Sequence, residues 1–341
     1  MTAIPMARTH ARLADRLLLP LLGVCVILAF VSSLLVGPAA IGLRETVDAL
    51  LAGDVETTAL IVREVRLPRA LLGLLIGATL GLSGAALQGF LRNPLAEPGL
   101  VGVSASAAFG AVLMFYTGLS GLFALALPLG GMAGACLGVL LVQALAGRGG
   151  SPLTLILAGI AVTSFASALT ALALNLAPNP FAALEIMFWL MGSLADRSFE
   201  HVWLSAPFML GGWLLLATLG RPLDALTLGE DAARSLGYDL RRVRHLLVFG
   251  TALSVGAATS VAGAIGFVGL VVPHLLRPLV GHKPSALLPA SALGGALLIL
   301  LADVAVRLLT PGRELKLGVL TALIGAPFFL VLVLRLRRQL L

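Results

Sequence analysis

The chain has 341 residues, is 59% hydrophobic and only 11% charged, and carries a mean hydropathy of +1.05 and a formal charge of +7. Soluble domains average roughly 25% charged residues, so these charges are too few to cover a water-facing surface, and a soluble fold is excluded. Nucleic-acid binding is excluded with it: such proteins gather Lys and Arg on one soluble face, whereas here the basic residues punctuate apolar runs and only Lys283 and Lys316 are lysines.

A membrane span needs about 20 apolar residues, and backbone polar groups in lipid must be satisfied within the segment. The chain therefore reads as all-α and polytopic, with about ten spans in one transmembrane domain over residues 1–341. Arg8, Arg12 and Arg16 lie in an N-terminal tail, 1–16, ahead of the apolar run 17–36. That run exceeds the roughly 7–15-residue core of a signal peptide and reads as a retained first span. Cys25 lies in it, and Cys136 in a later apolar run; neither implies a disulfide or a metal site.

Arg66 and Arg69 precede the second span, 70–91. Gly73, Gly77 and Gly81 recur at four-residue steps, with Gln88 further along that side. This pattern suits close helix packing in lipid, and lining a pathway is the other reading. The span ends at Arg92-Asn93-Pro94, since proline cannot continue a helix. Further spans are expected at 100–117, 122–146, 153–175, 201–220, 245–264, 267–280, 285–308 and 318–335, the third and eighth of the ten being short. Gly149-Gly150-Ser151-Pro152-Leu153-Thr154 forms a bend before the fifth span.

Residues 221–245 are the most polar segment, with Arg221, Asp224, Glu230, Asp231, Arg234, Asp239, Arg241, Arg242 and Arg244. Thr227-Leu228-Gly229-Glu230 fits a capping box, which predicts a helix from there to about Leu236 with Gly237 as its stop. Asp239 is placed to cap the next helix. A lever for a partner and an ordinary solvated loop are both compatible with this composition. Asp303 and Arg307, four apart near the end of the ninth span, are placed to pair; a free basic docking residue is the alternative for Arg307.

Lys and Arg fall mainly in alternate loops, which puts both termini and residues 221–245 in the cytoplasm. Arg44, Arg63, Arg66, Arg69, Arg197, Arg307, Arg313 and Lys316 are then an external minority. No H-E-x-x-H, G-x-S-x-G or C-x-x-C is present, and no glycine precedes either lysine, so there is no P-loop. An enzyme is disfavoured, no cofactor is expected, and any ATP must be hydrolysed by another subunit. A secondary transporter would want ionisable groups at mid-membrane; Glu185 and His274 are the candidates.

Arg66-Leu67-Pro68-Arg69, Gln88, Asn93-Pro94-Leu95-Ala96-Glu97-Pro98 and Leu100-Val101-Gly102-Val103-Ser104 resemble the permease subunits of ATP-binding-cassette importers for iron-siderophores, haem and cobalamin. So do Trp189-Leu190-Met191-Gly192-Ser193-Leu194, Leu228-Gly229-Glu230 through Leu236-Gly237, Gly266-Phe267-Val268-Gly269-Leu270, Pro273-His274, Asp303 and Gly325-Ala326-Pro327-Phe328-Phe329. The resemblance covers residues 16–336 and departs at Glu314-Leu315-Lys316-Leu317-Gly318, where the family commonly has proline in place of Lys316.

The resemblance implies ten helices, with spans 2–5 and 7–10 an inverted repeat. It implies an inner-membrane complex with a second permease subunit, identical or closely paralogous, two ATPase subunits and a periplasmic binding protein. It gives Arg66, Arg69 and Arg307 to docking of the binding protein, and Leu228, Gly229, Glu230, Ala233, Arg234, Leu236 and Gly237 to the ATPase. It gives Ser151, Pro152, Leu153 and Thr154 to a cytoplasmic gate, and Gln88, Asn93, Pro94, Gly269, Pro273 and Asp303 to structural motifs. The expected cargo is an iron-siderophore, with haem or cobalamin as alternatives. Replacing Arg66 and Arg69 by glutamate is expected to weaken docking and leave the fold intact.

Overall fold

A computed structural model describes residues 4–51, 57–123, 125–147, 152–309 and 315–340, with side chains described from 17 to 335 except Pro152. The described residues form helices and turns and no strand. In chain order the helices are α1 (Ile4–Leu35), α2 (Leu43–Leu51), α3 (Thr57–Leu60), α4 (Leu67–Leu91), α5 (Val103–Tyr116), α6 (Ala126–Ala146), α7 (Pro152–Asn175) and α8 (Pro180–Leu190). They continue with α9 (Phe199–Ala217), α10 (Gly220–Leu226), α11 (Glu230–Ser235), α12 (Leu240–Ala262), α13 (Val268–Leu276), α14 (Pro284–Leu309) and α15 (Leu317–Leu340).

Among the described residues, seven helices are long and apolar enough to cross a membrane, or eight if α9 and α10, bent by 44°, make one span. The remaining two of the expected ten are short. The 14 residues of α5 rise only about 21 Å at 1.5 Å per residue, against a hydrocarbon core of about 30 Å. The other, Val268–Val280, is also below spanning length. The second span runs further than expected, over Thr57–Leu91, because a π turn at Ile61–Arg66 joins α3 to α4 without a break. Arg66 and Arg69, expected to end the span, lie within this helix.

Two faces define the molecule. One end of α4 carries Arg69 in its first turn, next to Asp303 and Arg307 at the end of α14; this is the rim face. The 25 residues of α4 rise about 37 Å to Arg92, which meets Glu230 of α11 at 3.8 Å; this is the elbow face.

Packing follows an internal exchange. Helix α4 packs on α14 and α13, as α12 packs on α6 and α5; α5 packs on α6 and α7, as α13 packs on α14 and α15. Swapping α4, α5, α6 and α7 for α12, α13, α14 and α15 therefore preserves every one of these partnerships. Helix α4 starts at the rim and α12 at the elbow, so the two sets run in opposite directions, the inverted repeat expected for spans 2–5 and 7–10.

The glycine stripe on α4 is a packing face. A Cβ on Gly77 would lie 2.3 Å from the Gly295 carbonyl oxygen, and one on Gly81 would lie 1.9 Å from that of Ser291, both on α14. Polar side chains hold the buried helices together as in other membrane bundles: Trp213 Nε1 donates to Thr79 Oγ1 at 2.8 Å, and Ser83 Oγ lies 3.4 Å from Ser254 Oγ.

Candidate functional site

The rim gathers two arginines around one carboxylate. Asp303, almost fully buried, accepts from Arg69 Nη2 at 2.8 Å and Nε at 3.0 Å, and from Arg307 Nη2 at 2.8 Å. The i, i+4 pair expected between Asp303 and Arg307 is present, and Arg69 makes it a triad. Arg307 also donates to the Ser33 carbonyl and to Ser33 Oγ near the end of α1.

Arg66 does not join the triad and is not a free rim charge. It is 4% exposed and donates to the carbonyls of Leu34 and Leu35, each at 2.8 Å. A guanidinium has five donors, and the last carbonyls of a helix lack partners within it, so Arg66 caps α1 from outside. Arg66→Glu would set a carboxylate against those carbonyls. The expectation that this substitution spares the fold is therefore corrected.

At the elbow face α9 bends into α10, and a short turn leads to α11. The expected capping box does not form. Thr227 closes α10 with its hydroxyl donating to the Asp224 carbonyl at 2.7 Å, and α11 begins after Gly229, whose φ is +104°. The N-cap of α11 is therefore Gly229, two positions after Thr227, and glycine has no side chain to cap with. The other end is as expected. Gly237 takes φ +88°, its N–H reaches the Arg234 carbonyl and the Tyr238 N–H reaches that of Ala233, a Schellman stop. Asp239 Oδ1 accepts from the Arg241 and Arg242 amides and caps α12.

Within this segment Ala233 is fully buried, whereas Leu228 and Leu236 are 71% and 61% exposed. Arg234 pairs with Glu230 at 2.9 Å and with Asp231 at 3.1 Å. Two contacts tie the elbow to the spans: Arg92 to Glu230, and Asp224 Oδ1, which accepts from the Ser285 amide at the start of α14 at 2.8 Å. Nothing in the local sequence pattern signals either, since their partners are distant in the chain. Of the expected gate, Ser151 lies outside the described residues, as does the Pro152 side chain. Leu153 stands exposed in the first turn of α7, with Thr154 next to it. Nearby, Arg244 Nη2 donates to the Gly147 carbonyl at 3.0 Å, joining the start of α12 to the end of α6.

The remaining motif residues form one joint. Arg92 turns left-handed, φ +49°, so that its amide and that of Asn93 both reach the Gln88 carbonyl. Asn93 Oδ1 accepts from the Leu95 amide at 2.9 Å, and Pro94 lies between them. Gln88 donates to the Gly269 carbonyl at 3.2 Å and accepts from Arg277 at 2.5 Å. A Cβ on Gly269 would lie 2.7 Å from Pro98 Cδ, so Gly269 lets α13 meet the turn after α4. Pro273 sits buried inside α13. Burial pushes the nearby Glu97 carboxyl above its usual range, and a hydrogen bond with the Phe267 backbone holds it partly down.

Along the first half of α15 lies a recess of about 620 Å³, lined by Leu190, Met191, Phe267, Val319, Leu323 and Pro327 among others, all apolar or backbone. Phe267 holds φ +68°, unusual for a bulky residue. A Cβ on Gly325 would lie 2.2 Å from Phe267 Cβ, so Gly325 in α15 is what admits the ring. Among the described residues no group of three or more potential metal ligands is gathered.

An all-helical membrane chain with an internal inverted repeat, an apolar recess and a polar elbow defines a polytopic transport permease. Residues 25–335 match the FecCD transport family, and the chain belongs to that family. The vitamin B12 import system permease protein BtuC of Salmonella typhi is 42% identical over 281 residues, covering 82% of this chain and 85% of that protein; the protein of the same name from Salmonella newport (strain SL254) matches equally. A metal-chelate-type ABC transporter in an inward-facing conformation matches at 34% identity with a TM-score of 0.80, covering 94% of this chain and 99% of that one. PsaBC from Streptococcus pneumoniae, solved with a Fab, shares the fold at 18% identity and a TM-score of 0.53, covering 85% of this chain and 95% of that one. The chain is thus a multi-span permease of a bacterial ABC importer, an inner-membrane class that works with ATPase and binding-protein partners.

Proposed function

We propose that this permease carries a bulky metal chelate inward, and that the chelate is a corrinoid of the cobalamin type. The 42% identity to permeases named for vitamin B12 import supports the corrinoid over a siderophore or haem. An iron-siderophore is the second reading, supported by the likeness to a transporter described as metal-chelate type.

The observation that carries the mechanism is the apolar recess. A pathway must bind cargo well enough to admit it and weakly enough to release it. Walls without charges give a large chelate no strong point of attachment, so release can follow a change of shape. In this reading residues 1–341 act as one membrane domain beside a second copy or a close paralogue. Two separate ATPase subunits hold the elbow at Leu228, Gly229, Glu230, Ala233, Arg234, Leu236 and Gly237. Leu153 and Thr154, with Ser151 and Pro152, gate the cytoplasmic exit, and both termini lie on that side, as the loop charges favour.

The binding protein docks on the rim face near Arg66, Arg69 and Arg307. Arg69 is the most exposed of the triad, with 19% of its side chain accessible, and offers the clearest contact for an acidic partner. Arg66 and Arg307 hold the shape of that surface. Such charges set encounter rate and register more than affinity.

The test is uptake by a bacterial host lacking its own chelate permeases, supplied with this chain and the ATPase and binding protein that assemble with it. Labelled cobalamin should accumulate and compete with unlabelled corrinoid but not with ferric siderophore or haem. Accumulation of a ferric siderophore alone would replace the corrinoid. Uptake that persists without ATP and stops when the ion gradient collapses would overturn the ATP-driven reading itself.

A further inference from the structure

Helix α2 takes no part in the transport cycle proposed above, yet its nine side chains divide with unusual regularity. With Leu43 at zero and about 100° per residue, buried Thr46 and Ala49 occupy about 240–300° and face the protein. Leu43, Val47, Leu50 and Leu51 occupy about 340° through 80° and are 60%, 44%, 36% and 81% exposed. Arg44, Asp48 and Glu45 occupy about 100–200°, with Arg44 and Asp48 in a surface pair at 3.9 Å. The centres of the three sectors are thus about 120° apart.

Two tethers set the height of this helix. Arg63, in the π turn before α4, donates to the Leu50 carbonyl at 3.3 Å. Arg66, one turn further on, grips the last carbonyls of α1 and that of Ala39, four residues before α2. The helix is therefore level with the rim ends of α1 and α4, where hydrocarbon gives way to headgroups. On the helix it packs against, Leu60 and Val65 are also exposed, at 48% and 55%, so the apolar sector belongs to a surface already committed to lipid.

We propose that α2 is a lipid-seated foot that lies flat in the headgroup region at the rim face. Its apolar sector enters the acyl chains, its charged sector meets water, and its small buried sector rests on the bundle. A helix standing along the membrane normal would hold its leucines and its charges at the same depth, and one set would be in the wrong solvent; lying flat resolves both. Through Arg63 and Arg66 the foot then ties the ends of α1 and α4 to the lipid surface. The proposal rests on the chain being a membrane protein and is independent of its cargo.

Spin labelling tests it on the full chain with Cys25→Ser and Cys136→Ser, reconstituted in phosphatidylethanolamine–phosphatidylglycerol vesicles. One label goes at Val47→Cys, in the apolar sector, and another at Asp48→Cys, in the charged sector; both positions are exposed, so neither change disturbs packing. The Val47 label should collide with dissolved oxygen several-fold more than with a water-soluble nickel chelate, and the Asp48 label should show the reverse. Equal nickel access at both positions would place α2 in water and overturn the proposal. So would a Val47 label shielded from both reagents, which would mean that a second copy of the chain covers this face. A Leu51→Cys label repeats the reading if the Val47 variant fails to insert.

Discussion

At the scale of single residues, the Asp303 carboxylate is the most consequential group on the rim. It neutralises two arginines whose side chains are 19% and 9% exposed. Removing one partner of a buried ionic cluster costs about 3–5 kcal/mol, because the charge left behind is uncompensated. Asp303→Asn keeps the shape and loses the charge. It should lower stability by about 3 kcal/mol, read as a reduced unfolding temperature of the purified protein in detergent. An unchanged temperature would mean that the carbonyls of α1 alone satisfy Arg307. Half of this cluster was legible in sequence, since Asp303 and Arg307 are one helical turn apart. Arg69 is 234 residues away, and no local pattern could join it. Arg66 misled for a related reason: a basic residue before a span reads as water-exposed, and only the fold brings the carbonyls of α1 to it.

Glu97 gives a second residue-scale prediction, with a definite sign. Its folded pKa is raised, so the folded state binds more protons than the unfolded one above about pH 4.5. Stability must then fall as pH rises from there through the folded value. Glu97→Gln removes the titration and should flatten the pH dependence of the unfolding temperature over that window, with the largest gain at its alkaline end. A variant whose unfolding temperature changes with pH as the parent's does would remove Glu97 from this role.

At the scale of elements, the contact of α4 with α14 is made by backbones. The glycine periodicity in 70–91 was visible as a close-packing pattern, but the helix that fills it was not, because residues 291 and 295 carry no matching signal beyond Gly295 itself. Gly81→Ala places a methyl group where the Ser291 carbonyl lies 1.9 Å away. The two helices must separate, at an expected cost of about 1–3 kcal/mol. Gly23→Ala in α1 is the control: a Cβ there meets nothing within 4 Å, and because alanine favours the helix over glycine the unfolding temperature should not fall. Equal effects would show that the two helices adjust freely. The elbow shows the opposite limit of local reading. The Schellman stop at Gly237 and the cap at Asp239 follow from neighbours in sequence, whereas no capping box forms at Thr227 because α10 runs up to that residue and α11 starts only after Gly229.

At the scale of the whole molecule, the elbow must pass force from a partner to the spans if ATP is to drive transport. Leu228 and Leu236 project from its surface among charges, an arrangement suited to a buried contact with another protein. Behind them, the Glu230–Arg92 pair leads to the end of α4, and Asp224 leads to the start of α14. Those two helices are packed backbone to backbone at Gly77 and Gly81 and joined at the rim by Arg69 and Asp303, so displacement at the elbow moves the rim with it. Leu228→Ser with Leu236→Ser changes two largely exposed side chains and removes the apolar points without adding charge. Loss of an interface anchor costs about 2 kcal/mol or more, so the permease should hold its ATPase at least about thirtyfold less tightly while keeping its unfolding temperature. Uptake and the stimulation of ATP hydrolysis by the binding protein should fall together. If the doubly substituted permease still assembled and transported at the parent rate, the drive would enter the membrane somewhere other than the elbow, and the path through Arg92 and Asp224 would be only structural.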